Sequence, residues 1–451
     1  MSHIRVKHMH VIAFATFCLL ATSSFCAAQV AYPSPITEDA YEAIDLQEAK
    51  LGQLLFYDPI LSGNKEVACA TCHHPRFGTS DGVSLSFGDG GTGFGQHRRA
   101  NAENLPEERI PRNSPALFNL GAKEFTSLFH DGRLEADPAQ PNGLRSPMDA
   151  DMSLGFASVL SAQTMFPVLS RDEMAGSHGE NDIARLIRQG IITGDGGAWD
   201  RLARRVAGID AYAAQFSTVY PHINTADDIA FTDISNAIAV FMAHEWRSDS
   251  APFDAVLRGD RHPTGPAHRG AQLFYGAAGC AECHSGPFLT DHKFHAMAAP
   301  QIGPGKAASF ETHHKDEGRF RVTGRPEDLY AFRTPSLRNV ALTGPYGHAG
   351  AHKDLDQFIL DHADPARALF HYDRSQAVLP PYEALDFAVM DDLHQLQAIA
   401  DAVQARPVQL TQENLSDLIA FLDSLTDPIS VTGRLGIPTN LPSGLKVPTG
   451  D

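Results

Sequence analysis

Two short motifs hold the residues best suited to chemistry in this chain. Cys69-Ala70-Thr71-Cys72-His73 and Cys280-Ala281-Glu282-Cys283-His284 share the pattern C-x-x-C-H. Two thiols at that spacing can add to the two vinyl groups of one haem, and the next imidazole then lies under the iron as its proximal ligand. Three other readings use the same residues. Two C-x-x-C pairs could share one zinc, which gives no role to a histidine directly after each pair. They could be redox dithiols, although no thioredoxin-like βαβ pattern surrounds them. They could also close as two tight disulfides, which an oxidising compartment allows.

The elements that would position these motifs are repeated. Leu51-Gly52-Gln53-Leu54-Leu55-Phe56-Tyr57 precedes the first motif, and Arg269-Gly270-Ala271-Gln272-Leu273-Phe274-Tyr275 precedes the second. Leu51, Leu54 and Leu55 fall on one helical face, so each motif is entered by a helix and then a loop. Each half also closes with an amphipathic helix. Ile234, Ala237, Ile238, Phe241 and Met242 follow helical spacing, as do Leu415, Leu418, Ile419 and Leu422. No run of alternating apolar residues predicts a large sheet. The fold expected is mainly α, with two c-type cytochrome-like domains that each bind one covalent haem.

The boundary between the domains falls near residues 248–263, giving an N-terminal domain over 29–255 and a C-terminal one over 256–451. Gly- and Pro-rich segments at 87–113 and 137–174 are too long for simple connections and read as functional loops. After Thr426 the chain turns polar and reads as an extended tail.

Residues 1–28 read as a signal peptide. Arg5 and Lys7 form a basic start, Val11 to Ala21 a short apolar core, and small residues end at Ala28. Cys18 and Cys26 leave with it, so the two motifs account for every remaining cysteine. Export to the periplasm follows, with no later membrane span. The net charge is −18, and loss of Arg5 and Lys7 takes it to −20. Such a field repels nucleic acid and tolerates a basic protein partner.

Several further blocks occur in order between residues 45 and 425. They are Arg112-Asn113-Ser114-Pro115, Phe129-His130-Asp131-Gly132-Arg133, and Gln163 with Pro167 and Glu173-Met174. After the second motif come Gly318-Arg319, Phe332-Arg333-Thr334-Pro335-Ser336-Leu337-Arg338-Asn339, and Thr343-Gly344-Pro345-Tyr346-Gly347-His348-Ala349-Gly350. The ordered set resembles the bacterial di-haem cytochrome c peroxidase/MauG family. That resemblance implies two unequal haems: His73 would serve the haem where peroxide reacts, and His284 a six-coordinate haem that stores or passes electrons.

It also implies distal groups. Glu173 would be the acid/base that moves a proton between the peroxide oxygens, and Gln163 a polar pocket residue. A loop histidine that caps the reactive haem in some relatives has an imperfect counterpart in His97. The sixth ligand of the second haem, methionine or tyrosine in relatives, falls here on His362, fourteen residues after His348. Leu355, Phe358, Ile359 and His362 share one helical face, so the residue points inward. His130 stands where relatives carry an inter-haem tryptophan, and either relays electrons or packs. A calcium ion is implied at the Asn113 side chain and the carbonyls of Thr343 and Pro345. Many relatives are homodimers.

Three functions stay open at this point. The first is reduction of hydrogen peroxide with electrons from a small cytochrome c or cupredoxin. The second is MauG-like oxidation of a Trp or Tyr on a partner protein. The third is a di-haem electron carrier, against which Glu173 and Gln163 argue.

Overall fold

Five helices position the motifs: α1 (Leu46–Tyr57), α2 (Phe231–Glu245), α3 (Gly265–Phe274), α4 (Leu355–Ala363) and α5 (Gln412–Asp423). They are taken from a computed structural model that describes Met1 and residues 31–307 and 311–450. The leader expected over residues 1–28 lies outside the described residues, Met1 aside. Met1–Ala31 and Tyr32–Asp451 are separate units, and the second holds everything below.

The repeat seen in the sequence is a repeat in space. α1 packs against α2, and α3 against α5. Asp45 caps α1, its carboxylate accepting from the Gln47 N–H at 2.7 Å. The two crossings share one device. A Cβ on Gly52 would fall 1.8 Å from the Ala237 carbonyl oxygen, and one on Gly270 would fall 1.9 Å from that of Asp417. The next obstacles are also equivalent, Phe241 Cβ at 2.9 Å and Phe421 Cβ at 2.8 Å. Glycine therefore lets each motif-bearing helix touch the backbone of its closing helix. Gly270→Ala should cost about 3 kcal/mol, since backbone overlap cannot be relieved by a rotamer change. Gly208→Ala, where the added carbon meets nothing nearer than 3.4 Å, should stay within about 0.5 kcal/mol. Thermal melts of the two variants would check this.

The strands are few and short. Among the described residues they form antiparallel pairs at 91–92 with 99–100 and at 294–296 with 331–333, and a three-stranded sheet over 127–145. The fold is mainly α, as the apolar spacing predicts.

The loops are tethered rather than loose. Buried Arg98 donates to the carbonyls of Phe87, Gly88 and Gly93 at 2.5, 2.8 and 2.7 Å. Arg109 forms a bidentate pair with Asp386 at 2.8 and 3.0 Å. Arg112 grips Asp316 at 2.7 and 2.8 Å and Asp131 at 2.6 Å. Burial raises the Asp316 carboxyl, but the Arg112 guanidinium outweighs it and holds the group at about 2. These pairs fasten segments from both sides of the 248–263 region to each other.

The tail opens with a short helix, Pro428–Thr432, capped by Asp427, where the sequence predicts extended chain; beyond it the chain runs back over the first motif's helices. Glu245, at the end of α2, accepts from the N–H groups of Arg434, Leu435 and Gly436 at 2.9, 2.6 and 2.8 Å. Gln53 on α1 donates to the Leu435 and Gly436 carbonyls. Leu441 joins the apolar core built around α1 and α2.

Candidate active site

Cys69–Cys72 form a single helical turn, and all four described cysteines are unpaired. The disulfide reading fails. Among the described residues no cluster of metal-binding groups joins the two cysteine pairs, so they do not share a zinc. Burial pushes the Cys69 and Cys72 thiols up to about 12 and the Cys280 thiol up to about 11. A redox dithiol needs the opposite shift. Protonated, partly buried thiols beside a histidine suit thioether attachment.

Both histidines are held alike. His73 Nδ1–H donates to the Thr79 carbonyl at 3.0 Å, and the Pro115 carbonyl also faces it. His284 Nδ1–H donates to the Leu289 carbonyl at 3.2 Å, with Pro335 in the matching place. At His284 Nε2 is left for a metal, while at His73 only the Ser114 hydroxyl, among the described residues, comes near Nε2, at 3.5 Å; burial keeps both rings neutral, the form that ligates. On the far side of His284 stands His362 from α4. The two rings lie 6.4 Å apart, centroid to centroid. Two imidazoles sharing one iron would stand about 6 Å apart, given a metal–nitrogen bond of about 2 Å on each side. The residues present fit a six-coordinate haem there. Phe358 stacks on His362 at 5.3 Å and keeps its ring in place.

The two distal candidates, Gln163 and Glu173, both come from the segment 159–175. Gln163 ends the short helix Val159–Gln163, and its Oε1 is buried without a hydrogen-bond partner among the described residues. An orphaned acceptor in this position fits a pocket made for another molecule. Glu173 sits on the turn Arg171–Ala175. Its carbonyl accepts from the Asp89 N–H at 2.9 Å, and that of Asp172 accepts from the Gly88 N–H at 3.1 Å. A side chain at residue 88 would collide with the Glu173 carbonyl, so Gly88 allows this seating. The Glu173 charge helps raise the Cys72 thiol, so the carboxylate lies within electrostatic reach of the first motif. Burial raises its pKa; Lys306 and Arg133 pull it back. Arg133 lies over the Phe129 ring at 3.6 Å, and Phe129 meets Phe166 edge-on at 5.5 Å. Glu173 is thus a desolvated carboxylate within electrostatic reach of two cations, Lys306 and Arg133.

A family model described as di-haem cytochrome c peroxidase matches residues 46–262. The methylamine utilization protein MauG of Methylorubrum extorquens is 28% identical over 405 residues, 89% of this chain and 84% of its own. Cytochrome c551 peroxidase of Pseudomonas aeruginosa is 27% identical over 318 residues, 70% of this chain and 72% of its own. Residues 46–262 match the di-haem cytochrome c peroxidase family, and MauG and bacterial cytochrome c peroxidases are similar over most of the chain. That family implies two c-type haems. The fold agrees with the solved di-haem peroxidase BthA of Burkholderia thailandensis, with a TM-score of 0.56 over 92% of this chain and 93% of that one, at 21% identity.

Within this family frame the remaining candidates separate. His97 is exposed on the turn Gly95–His97. His130 donates from Nε2 to the Asn113 carbonyl at 3.1 Å, and burial, then Arg112, lowers its pKa to about 3, so it stays neutral. Asn113 turns its amide nitrogen toward the carbonyls of Val83 and Ser84, which aims its oxygen away from them. Thr343 and Pro345 follow the turn Val340–Leu342. One group escaped the sequence reading. Lys306, far along the chain, reaches the neighbourhood of Glu173, Arg133 and Asp131. Its surroundings in sequence give no sign of this, because the groups it reaches lie more than a hundred residues earlier in the chain.

Proposed function

We propose that this chain is an exported periplasmic haem peroxidase that reduces hydrogen peroxide with electrons from a small cytochrome c or cupredoxin. The observation that carries the reading is a desolvated Glu173 carboxylate whose charge reaches Cys72 of the first C-x-x-C-H motif, on the same 159–175 segment as the unsatisfied Gln163 oxygen. Bound haem would supply the redox-active iron, held by Cys69, Cys72 and His73 at the first site and by Cys280, Cys283, His284 and His362 at the second.

The residues then divide the work. Gln163 orients peroxide through the acceptor it leaves open. Glu173 takes a proton from the inner peroxide oxygen and returns it to the outer one, so that the leaving oxygen departs as water. Burial raises the Glu173 pKa, and Lys306 and Arg133 oppose that effect and favour the ionised, basic form. Phe129 and Phe166 limit water around the carboxylate. Calcium at Asn113, Thr343 and Pro345 would brace the loop that carries Ser114 against His73. No helix among the described residues is long and apolar enough to cross a membrane.

A second reading is oxidation of a Trp or Tyr on a partner protein. His362 in place of methionine and His130 in place of tryptophan favour it. Two measurements on the purified ferric protein separate the readings. Absorption and EPR spectra should give one high-spin and one low-spin haem, with a prompt change on stoichiometric peroxide. Steady-state oxidation of reduced cytochrome c by peroxide should follow. Prompt reaction with peroxide but no turnover of donor protein would favour the second reading. Two low-spin haems inert to peroxide would favour an electron carrier.

A further inference from the structure

Both proximal histidines rest on matching loops, and the loops touch. Residues 112–115 bring Ser114 and Pro115 to His73; Ser114 Oγ lies 3.2 Å from His73 Nδ1 and donates to the Cys72 carbonyl at 2.7 Å. Residues 332–335 bring Pro335 to His284. His348 joins the two. Its carbonyl accepts from the Asn113 N–H at 2.8 Å. Its ring lies flat on Phe332, with centroids 3.8 Å apart and planes 10° apart. His348 Nδ1 is buried with no hydrogen-bond partner among the described residues, so the stack with Phe332, rather than a bond at that nitrogen, accounts for the ring's placement.

A series of contacts therefore runs from one proximal ligand to the other. It passes from His284 to Pro335, along the chain to Phe332, across the stack to His348, through a hydrogen bond to Asn113, and by Ser114 to His73. Each non-covalent step is a hydrogen bond or a van der Waals contact. The side chain of residue 130, where relatives have tryptophan, is attached differently. Its imidazole is tied edge-on to the Asn113 carbonyl, and its backbone carbonyl accepts from the Arg333 N–H at 2.8 Å. No ring stacks on it among the described residues.

We propose that electrons pass between the two haem sites through the Phe332–His348 stack and the Asn113–Ser114 peptide, not through the side chain of residue 130. This rests on the di-haem reading above. One electron leaves the second site, which is oxidised by one, and enters the first, which is reduced by one. No bond between heavy atoms forms or breaks. No proton moves, because the Asn113 N–H to His348 carbonyl bond on the route keeps its donor and its acceptor.

The test uses the holoenzyme. An electron is injected photochemically into the ferric protein, and its redistribution between the two haems is followed by absorption. Phe332→Leu keeps an apolar side chain but removes the ring, opening a gap in the stack. It should slow redistribution by about tenfold, with both haem spectra and both reduction potentials unchanged. Phe332→Tyr, which restores the ring, should recover the rate and covers the case in which the leucine variant folds poorly. His130→Phe should leave the rate as it was. A normal rate in Phe332→Leu overturns the route, as does a slowed rate in His130→Phe, whether or not Phe332→Leu is slow too. A protein that carries fewer than two haems would overturn the di-haem reading itself, and the route with it; the spectrum taken beforehand distinguishes the two failures.

Discussion

Glu173→Gln should lower the rate of peroxide consumption by about 10²–10⁴-fold, while both haem spectra and the thermal melt stay as in the parent protein. The substitution keeps size and shape and removes only the ability to accept and return a proton. It therefore isolates the proton transfer from the pocket. The neighbouring cation gives an independent check of the assignment. Lys306 lowers the Glu173 pKa, so Lys306→Met should let burial raise it further. A general base works deprotonated, and its rate falls as pH drops through its pKa. The acidic limb of the pH–rate profile should therefore move to higher pH in Lys306→Met. In Glu173→Gln that limb should vanish. A limb that stays in place in both variants would assign the titration to another group and leave Glu173 as a packing residue.

Local chemistry was legible in the sequence, and long-range assembly was not. C-x-x-C-H is a complete instruction within five residues, so attachment needed no knowledge of the fold. The Leu51–Tyr57 and Arg269–Tyr275 repeat was legible as a repeat because both helices meet the same kind of partner. Why each carries glycine at its second position became clear only from the crossings. Gly52 and Gly270 lie against the backbone of Ala237 and Asp417, more than a hundred residues away in each case. His362 was marked by its place fourteen residues after His348, not by helical spacing, which an ordinary core histidine would share; its ring lies 6.4 Å from that of His284. Lys306 and His348 carry no such mark. Lys306 comes within electrostatic reach of Glu173, and His348 stacks on Phe332, because separate loops converge. Charge and ring contacts of that kind depend on topology, which composition and periodicity do not encode. The tail shows the same limit. Its polar, Pro-rich sequence predicts an extended strand of chain, but the carboxylate that holds it, Glu245, lies far upstream on α2.

The second large effect is expected at the other site. His362→Met should raise the reduction potential of the second haem by on the order of 100 mV, since a thioether favours the ferrous state more than an imidazole does. The physical basis is the pairing of His284 and His362 at 6.4 Å, a gap suited to one iron between two nitrogens. Methionine is long and flexible enough to reach from α4 without moving the helix. His362→Ala should instead open the sixth position and turn the low-spin EPR signal high-spin. The two variants make different demands on function. If the second haem delivers electrons to the first, a higher potential weakens the driving force for delivery, and donor-supported turnover should fall in His362→Met even though peroxide still reacts with the first site. If the second haem instead stores an oxidising equivalent for use on a partner protein, the same change makes that equivalent a stronger oxidant, and reaction with an oxidisable aromatic side chain should speed up. Spectroelectrochemical titration of the variant, followed by the two assays on one preparation, would show which direction the electron chemistry of this chain takes. An unchanged potential and EPR spectrum in both variants would remove His362 from the iron altogether.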